Sequence, residues 1–85
     1  MKEFNYTIND PNGIHARPAG VLVKEVKGFE SSITVWKGDA SCDMKKLMKL
    51  MGMGIKQGDT ITVKVEGADE DAAVEAVKKA FEENF

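Results

Sequence analysis

The six residues Gly13-Ile14-His15-Ala16-Arg17-Pro18, hereafter the hexapeptide, stand where a strand pattern gives way to a helical pattern. Before them, Phe4, Tyr6 and Ile8 alternate with polar residues, which is typical of a half-buried strand. Residues 10–13 have the proline and glycine of a turn. After them, over residues 18–27, apolar residues recur at helical spacing and form one inward face: Ala19, Leu22, Val23 and Val26. The hexapeptide is therefore predicted to lie at a strand–loop–helix junction.

The hexapeptide holds the only histidine and the only arginine of the chain. A histidine ring can accept and release a phosphoryl group near neutral pH, and a guanidinium offers a fork of donors that suits phosphate. Pro18 favours the first turn of a helix, where free N–H groups attract anions. We therefore predict that His15 is phosphorylated and that Arg17 helps to hold the phosphate. A purely structural role is the competing interpretation of a lone histidine.

Composition narrows the function classes. A length of 85 residues predicts one domain over residues 1–85, and a net charge of −2 with few aromatic residues argues against nucleic-acid binding. No apolar run is long enough to span a membrane, and the N-terminus lacks a signal-peptide core. The single Cys42 suits a reducing compartment and packing as a small apolar residue. The sequence has no Cys/His cluster, no Gly-rich nucleotide-binding loop and no serine placed beside a general base. We therefore expect no metal and no cofactor.

The remaining periodicities predict strands at residues 32–37, 40–43 and 60–66 and a final helix with Asp69 as its N-cap. A Met-rich helical segment occupies residues 44–53. The predicted order is β-α-β-β-α-β-α, which favours an α+β fold with the helices on one face of a four-stranded sheet. Two apolar residues, Val21 and Met48, fall off the inward faces of their helices. Val21 is interpreted either as a stray surface residue or as a partner contact. The methionines of residues 44–53 are interpreted either as core or, since lysines surround them, as a docking surface for acidic partners.

The hexapeptide resembles the active-site signature of the HPr family, the histidine-containing phosphocarriers of the bacterial phosphoenolpyruvate:sugar phosphotransferase system. Chain length, element order, the Met/Gly-rich stretch after Lys45 and the sequence Val65-Glu66-Gly67-Ala68-Asp69-Glu70 agree with it. The resemblance implies an open-faced β-sandwich with a four-stranded antiparallel sheet and three helices on one side. It also implies a cytoplasmic, monomeric carrier without membrane insertion.

The resemblance implies that phosphorylated enzyme I transfers its phosphoryl group to Nδ1 of His15, which passes it to sugar-specific IIA proteins or domains. Arg17 would balance charge, and backbone N–H groups of Ala16 and Arg17 at the helix start, near Pro18, would bind the phosphate. A docking surface shared by the partners is implied on the first two helices. We define the docking surface by its eight residues: Gly20, Val21, Lys24, Lys27, Leu47, Met48, Lys49 and Met51.

One position departs from relatives that regulate carbon catabolite repression. They carry a phosphorylatable serine directly after the lysine that is Lys45 here, and this chain has Lys46. Lysine cannot accept that phosphate, and its charge is opposite to that of phosphoserine. The regulatory serine position is therefore replaced, whereas the carrier residues are intact.

Two other functions are kept as alternatives. One is an HPr-like regulatory binding module whose partner binding depends on His15 phosphorylation, without a role in sugar uptake. The other is a small phosphatase that uses Arg17 on a ferredoxin-like sheet. Genes for enzyme I or sugar permeases beside the gene for this chain would favour the carrier over the regulatory module, and hydrolysis of an acyl phosphate would favour the phosphatase.

Overall fold

A computed structural model describes residues 1–85 and shows the predicted order of elements. The seven elements are β1 (Lys2–Thr7), α1 (Ala16–Val26), β2 (Ser32–Lys37), β3 (Ala40–Asp43), α2 (Leu47–Met51), β4 (Thr60–Glu66) and α3 (Glu70–Asn84). None of the helices has the length and apolar character needed to cross a membrane. The α+β fold class and the order β-α-β-β-α-β-α are confirmed.

The four strands form one antiparallel sheet in the order β1-β4-β2-β3. Strand β4 is central: Val63 pairs with Phe4 of β1 on one side and with Val35 of β2 on the other. A ferredoxin-like sheet instead has β1 and β3 as its central strands. The observed order therefore removes the structural basis on which the phosphatase alternative rested.

The core lies between one face of the sheet and the helices. Alternate residues of β2 and β4 point into it, and both long helices present their apolar stripes to it, so that a single buried cluster joins sheet and helices. The opposite face of β4 carries Thr62 and Lys64, which are only partly buried. The four residues of α1 that were predicted to face inward, Ala19, Leu22, Val23 and Val26, are buried. The sheet and α3 bury a further set: Ile33, Val35, Ile61, Val63, Val65, Ala73, Val77, Ala80 and Phe81.

Two helices have different bounds from those predicted. Helix α1 begins at Ala16 rather than Pro18, which places Pro18 third in the first turn. A proline is tolerated there because the N–H groups of the first turn have no partner inside the helix. Helix α2 is only five residues long. Met44 precedes it, fully buried, and its N–H donates to the carbonyl of Ile33 at 2.9 Å.

Asp69 occupies the N-cap position of α3, as predicted, but its side chain makes no capping bond. Its carboxylate instead accepts hydrogen bonds from the N–H of Glu30 at 2.8 Å, the N–H of Ser31 at 2.9 Å and the hydroxyl of Ser31. The predicted N-cap position is confirmed, but the side chain binds the loop before β2 instead of the first turn of α3. Asp69 therefore joins the start of α3 to the start of β2.

Candidate functional site

The hexapeptide follows a tight turn that closes on itself. The N–H of Gly13 donates to the carbonyl of Asp10 at 2.9 Å, and Gly13 has a φ of 65°, a backbone conformation that favours glycine. A Cβ on Gly13 would meet the carbonyl oxygen of Ile55 and lie 2.8 Å from Cα of Lys56. Gly13 therefore lets the turn lie directly against the segment before β4.

His15 is the N-cap residue of α1. Its backbone is extended, with φ −129° and ψ 169°, and its carbonyl accepts the first helical hydrogen bond from the N–H of Ala19 at 3.0 Å. The preceding Ile14 is buried and donates its N–H to Ile55 at 3.1 Å, which anchors the chain just before the histidine. The His15 side chain is 39% exposed. The ring is thus carried on a fixed backbone and stays accessible to a partner.

The start of α1 offers an anion site beside the ring. The N–H groups of Ala16 and Arg17 have no acceptor within the protein, and Pro18 has no N–H. Free N–H groups and the positive end of the helix dipole both favour a bound anion. The side chain of Arg17 is exposed and makes no ion pair in the structure. The structure thus places the predicted residues Ala16, Arg17 and Pro18 in one helical turn next to His15.

Two residues beside His15 were not identified from the sequence. Oδ2 of Asp10 lies 3.3 Å from Nε2 of His15, and the ring of Phe85 packs edge-on to the imidazole with 6.4 Å between centroids. The pKa of Asp10 is lowered, chiefly because the N–H of Asn12 donates to its carboxylate and to a lesser extent because of His15. A carboxylate five residues before a lone histidine, across a turn, was the available signal for Asp10. No local pattern points to Phe85.

The residues of the predicted docking surface fall into two groups. Val21 and Met48 are large apolar side chains left exposed, with exposed fractions of 44% and 81%. Leu47 and Met51 are partly buried against the core, so they present less surface. Helix α1 contacts α2, which brings the two halves of the set together. The exposed members that flank the apolar pair are Lys24, Lys27 and Lys49, and Gly20 is partly buried with open space where a Cβ would lie.

Lys45 and Lys46 differ in their surroundings although they are adjacent. Nζ of Lys45 donates to the carbonyl of Phe29 at 2.6 Å and so ties the start of α2 to the loop after α1. Lys46 is the exposed N-cap residue of α2 and forms no side-chain cap. Lys45 therefore has a structural contact, whereas the side chain of Lys46 faces solvent.

Cys42 is a free, partly buried thiol that contacts the thioether of Met53, with 3.2 Å between the sulfur atoms. Burial raises the pKa of the Cys42 thiol, and the neighbouring Asp43 adds to that effect. Such a thiol is less reactive than an exposed one, because the thiolate is the nucleophilic form. The structure contains no group of three or more His, Cys, Asp or Glu side chains that could hold a metal ion.

Comparisons with known proteins agree with this geometry. The family profile described as the PTS HPr component phosphorylation site matches residues 2–83. The phosphocarrier protein HPr of Mycoplasma genitalium is 42% identical over 85 residues, which is 99% of this chain and 97% of that protein.

Two solved structures match the fold closely. HPr-C-His from Thermoanaerobacter tengcongensis superposes with a TM-score of 0.93 at 35% identity, covering 100% of this chain and 96% of that chain. A Mycoplasma histidine-containing phosphocarrier protein superposes with a TM-score of 0.90 at 40% identity, covering 93% of this chain and 90% of that chain. By sequence and by fold over nearly its whole length, the chain belongs to the HPr family of phosphocarrier proteins.

Proposed function

We propose that His15 accepts a phosphoryl group from phosphorylated enzyme I and passes it to sugar-specific IIA proteins or domains of the phosphotransferase system. One observation carries the proposal: the part-exposed His15 ring stands at the N-cap of α1, beside backbone N–H groups that have no acceptor in the protein. A nucleophile next to an anion site is what reversible phosphoryl transfer requires. Membership of the HPr family supports the same function.

Each residue of the site has a separate role in this proposal. Nδ1 of His15 forms and later breaks the bond to phosphorus, so the protein is a stoichiometric carrier with a transient phosphohistidine rather than an enzyme. The N–H groups of Ala16 and Arg17 bind the phosphate oxygens. The exposed Arg17 guanidinium makes no ion pair in the protein, so it is free to turn toward the phosphate and balance its charge.

The docking surface would receive enzyme I and the IIA proteins in turn. An exposed Met48 and Val21 with neighbouring lysines suit partners that present apolar residues within an acidic surface. Flexible methionine side chains allow one surface to adapt to several partners. We propose that the carrier is a monomer that works in the cytoplasm, with no nucleic acid, metal or cofactor.

The direct test is incubation with enzyme I and phosphoenolpyruvate, followed by intact mass spectrometry. We expect one acid-labile phosphate on the wild-type protein and none on His15→Ala. Lys79→Ala, an exposed residue of α3 far from the hexapeptide in the chain, should load like the wild type. A wild-type protein that takes up no phosphate, under conditions that load a known HPr, contradicts the proposal.

The loaded protein then distinguishes the carrier from the regulatory module. Addition of IIA proteins should remove the phosphate from His15 within the period of the experiment. A protein that loads but discharges to no IIA protein would support the regulatory alternative. Because Lys46 has no hydroxyl, we also expect HPr kinase with ATP to add nothing at this position.

A further inference from the structure

The carboxylate of Asp10 is fixed by its own turn. Oδ1 accepts the N–H of Asn12 at 2.8 Å, the Asp10 carbonyl accepts the N–H of Gly13 at 2.9 Å, and the Asp10 N–H donates to the carbonyl of Phe85 at 3.2 Å. The last two bonds fix the Asp10 backbone, and the bond from Asn12 occupies Oδ1, so Oδ2 is the carboxylate oxygen left free to interact elsewhere. It points at the imidazole of His15.

The imidazole of His15 contacts Asp10 and Phe85, and its Nδ1 atom is left without a partner. Nε2 faces Oδ2 of Asp10 at 3.3 Å, and the buried Phe85 ring packs edge-on to it. A distance of 3.3 Å is at the long end for a hydrogen bond, as is common for catalytic pairs in unliganded proteins. Nδ1 has no hydrogen-bond partner in the protein. The two ring nitrogens therefore have different surroundings.

We propose that Asp10 is a positioning residue for phosphoryl transfer, which accepts the Nε2–H of His15 and so keeps the Nδ1 lone pair available as the nucleophile. A carboxylate is only an acceptor, so the neutral ring satisfies it only in the Nε2–H tautomer. The inference rests on the proposed function of His15 and names a further residue that acts through it.

The transfer balances without any proton leaving Asp10 or His15. The Nδ1 lone pair forms a bond to phosphorus while the bond between phosphorus and the donor group breaks, and the donor keeps that electron pair. The Nε2 proton stays in place, so the phosphorylated ring is cationic and lies beside the Asp10 carboxylate. On transfer to the acceptor, the electrons of the Nδ1–phosphorus bond return to Nδ1 and regenerate the neutral Nε2–H ring.

The same carboxylate disfavours phosphorylation at the other nitrogen. A phosphoryl group on Nε2 would place its negative oxygens next to Oδ2, which lies 3.3 Å from that nitrogen. Like charges at such a distance repel each other. The bond from the N–H of Asn12 to Oδ1 holds the carboxylate in this orientation, on a backbone that is itself bonded to Gly13 and Phe85. Asp10 thus favours one nucleophilic atom by attraction and disfavours the other by repulsion.

An isosteric substitution separates this role from a general contribution to folding. In Asp10→Asn the amide oxygen can keep the bond from Asn12, which turns the amide NH2 toward Nε2 of His15. Nε2 must then accept, and the ring proton moves to Nδ1, where it blocks the nucleophile. In Asp10→Ala neither tautomer is imposed. The inference therefore predicts that the more conservative variant is the slower one.

The measurement combines ring-nitrogen chemical shifts with transfer kinetics. The 15N shifts of His15 at about pH 9, where a histidine ring is neutral, should show the Nε2–H tautomer in the wild type and the Nδ1–H tautomer in Asp10→Asn. Transfer from phosphorylated enzyme I should fall about two- to fivefold in Asp10→Ala, the range for losing one exposed pair. It should fall about tenfold or more in Asp10→Asn, because a wrong tautomer leaves the geometry intact but the nucleophile blocked.

Asp43→Asn is the matched control. Asp43 accepts the N–H of Lys45, two residues on, at 2.9 Å, which is the same kind of bond that Asp10 makes with Asn12. This variant should leave the His15 tautomer unchanged. An Nδ1–H ring in the wild type overturns the inference, as does an Asp10→Asn protein that keeps the Nε2–H ring or transfers as fast as Asp10→Ala. Failure of the wild type to load phosphate contradicts the proposed function instead.

Discussion

Gly13 shows at the scale of one residue how the site depends on a distant segment. Its positive φ and its contact with the backbone of Ile55 and Lys56 both exclude a side chain. Gly38 has a similar φ of 60°, but its missing Cβ would meet nothing within 4 Å. The two glycines therefore share the conformational requirement and differ only in packing.

Gly13→Ala should lower the free energy of unfolding by about 2 to 4 kcal/mol, the sum of a left-handed backbone and a backbone clash. Gly38→Ala should lower it by only about 1 kcal/mol, since only the backbone term applies. Urea unfolding of both variants measures the difference. Equal losses of stability in the two variants would show that the close packing of Gly13 against residues 55 and 56 does not add to the cost of the substitution.

Two methionines near α2 have opposite surroundings at the scale of the element. Met44 is fully buried and Met48 is 81% exposed. Met44→Ala should lower the free energy of unfolding by about 2 to 5 kcal/mol because it leaves a cavity. Met48→Ala should change it by no more than about 0.5 kcal/mol, yet slow phosphoryl transfer several-fold. A Met48→Ala protein that transfers at the wild-type rate would remove Met48 from the docking surface.

The bond between Ser31 and Asp69 links the loop before β2 to the start of α3, and it makes stability depend on pH. The pKa of Asp69 is lowered from its ordinary 3.8, chiefly by the Ser31 hydroxyl and then by the N–H of Glu30. A lowered pKa in the folded protein means that these bonds stabilise it above about pH 4 and are lost as the pH falls through the folded value.

Ser31→Ala should therefore lower the Tm by several degrees at pH 7, because it removes the hydroxyl donor from a fully buried serine. The difference between wild type and variant should shrink as Asp69 becomes protonated in acid. Thermal unfolding followed by circular dichroism from pH 7 down to about pH 2.5 tests this. A difference in Tm that is constant over that range would show that the charge of Asp69 is not involved.

Charge is distributed unevenly at the scale of the whole molecule. The net charge is −2, yet the docking surface carries three exposed lysines, Lys24, Lys27 and Lys49. Local positive charge attracts an acidic partner over a distance that salt shortens. Partner association can therefore depend on ionic strength although the chain as a whole is acidic.

We expect the second-order rate of transfer from enzyme I to fall by about tenfold between about 0.05 and 0.5 M salt. Lys49→Gln should reduce this dependence, whereas Lys79→Gln on α3 should not, since Lys79 lies outside the docking surface. Stopped-flow or quenched-flow kinetics across a salt series provides the test. A transfer rate independent of salt would contradict the electrostatic part of docking.

Much of this fold is local in origin and could be predicted from the sequence. Period-2 alternation in β1 and β4 and the apolar stripes of α1 and α3 depend only on neighbours a few residues apart, and they predict these four elements and much of the core. Two details at helix starts were not predicted. Helix α1 begins two residues before Pro18, and the carboxylate of Asp69, at its predicted N-cap position, binds the distant loop before β2.

The sequence by itself therefore determined the element order and the inward faces. It also determined the candidate nucleophile, because six consecutive residues suffice to show a lone histidine before a helix start. Only the tertiary structure decided what surrounds that histidine. Phe85 reaches it from the end of α3, Ile55 anchors the residue before it, and the Asp10 turn aims a carboxylate at Nε2. These contacts join segments that are far apart in the sequence, and the pattern of one segment contains no information about the other. The contacts form only when the sheet and helices pack together.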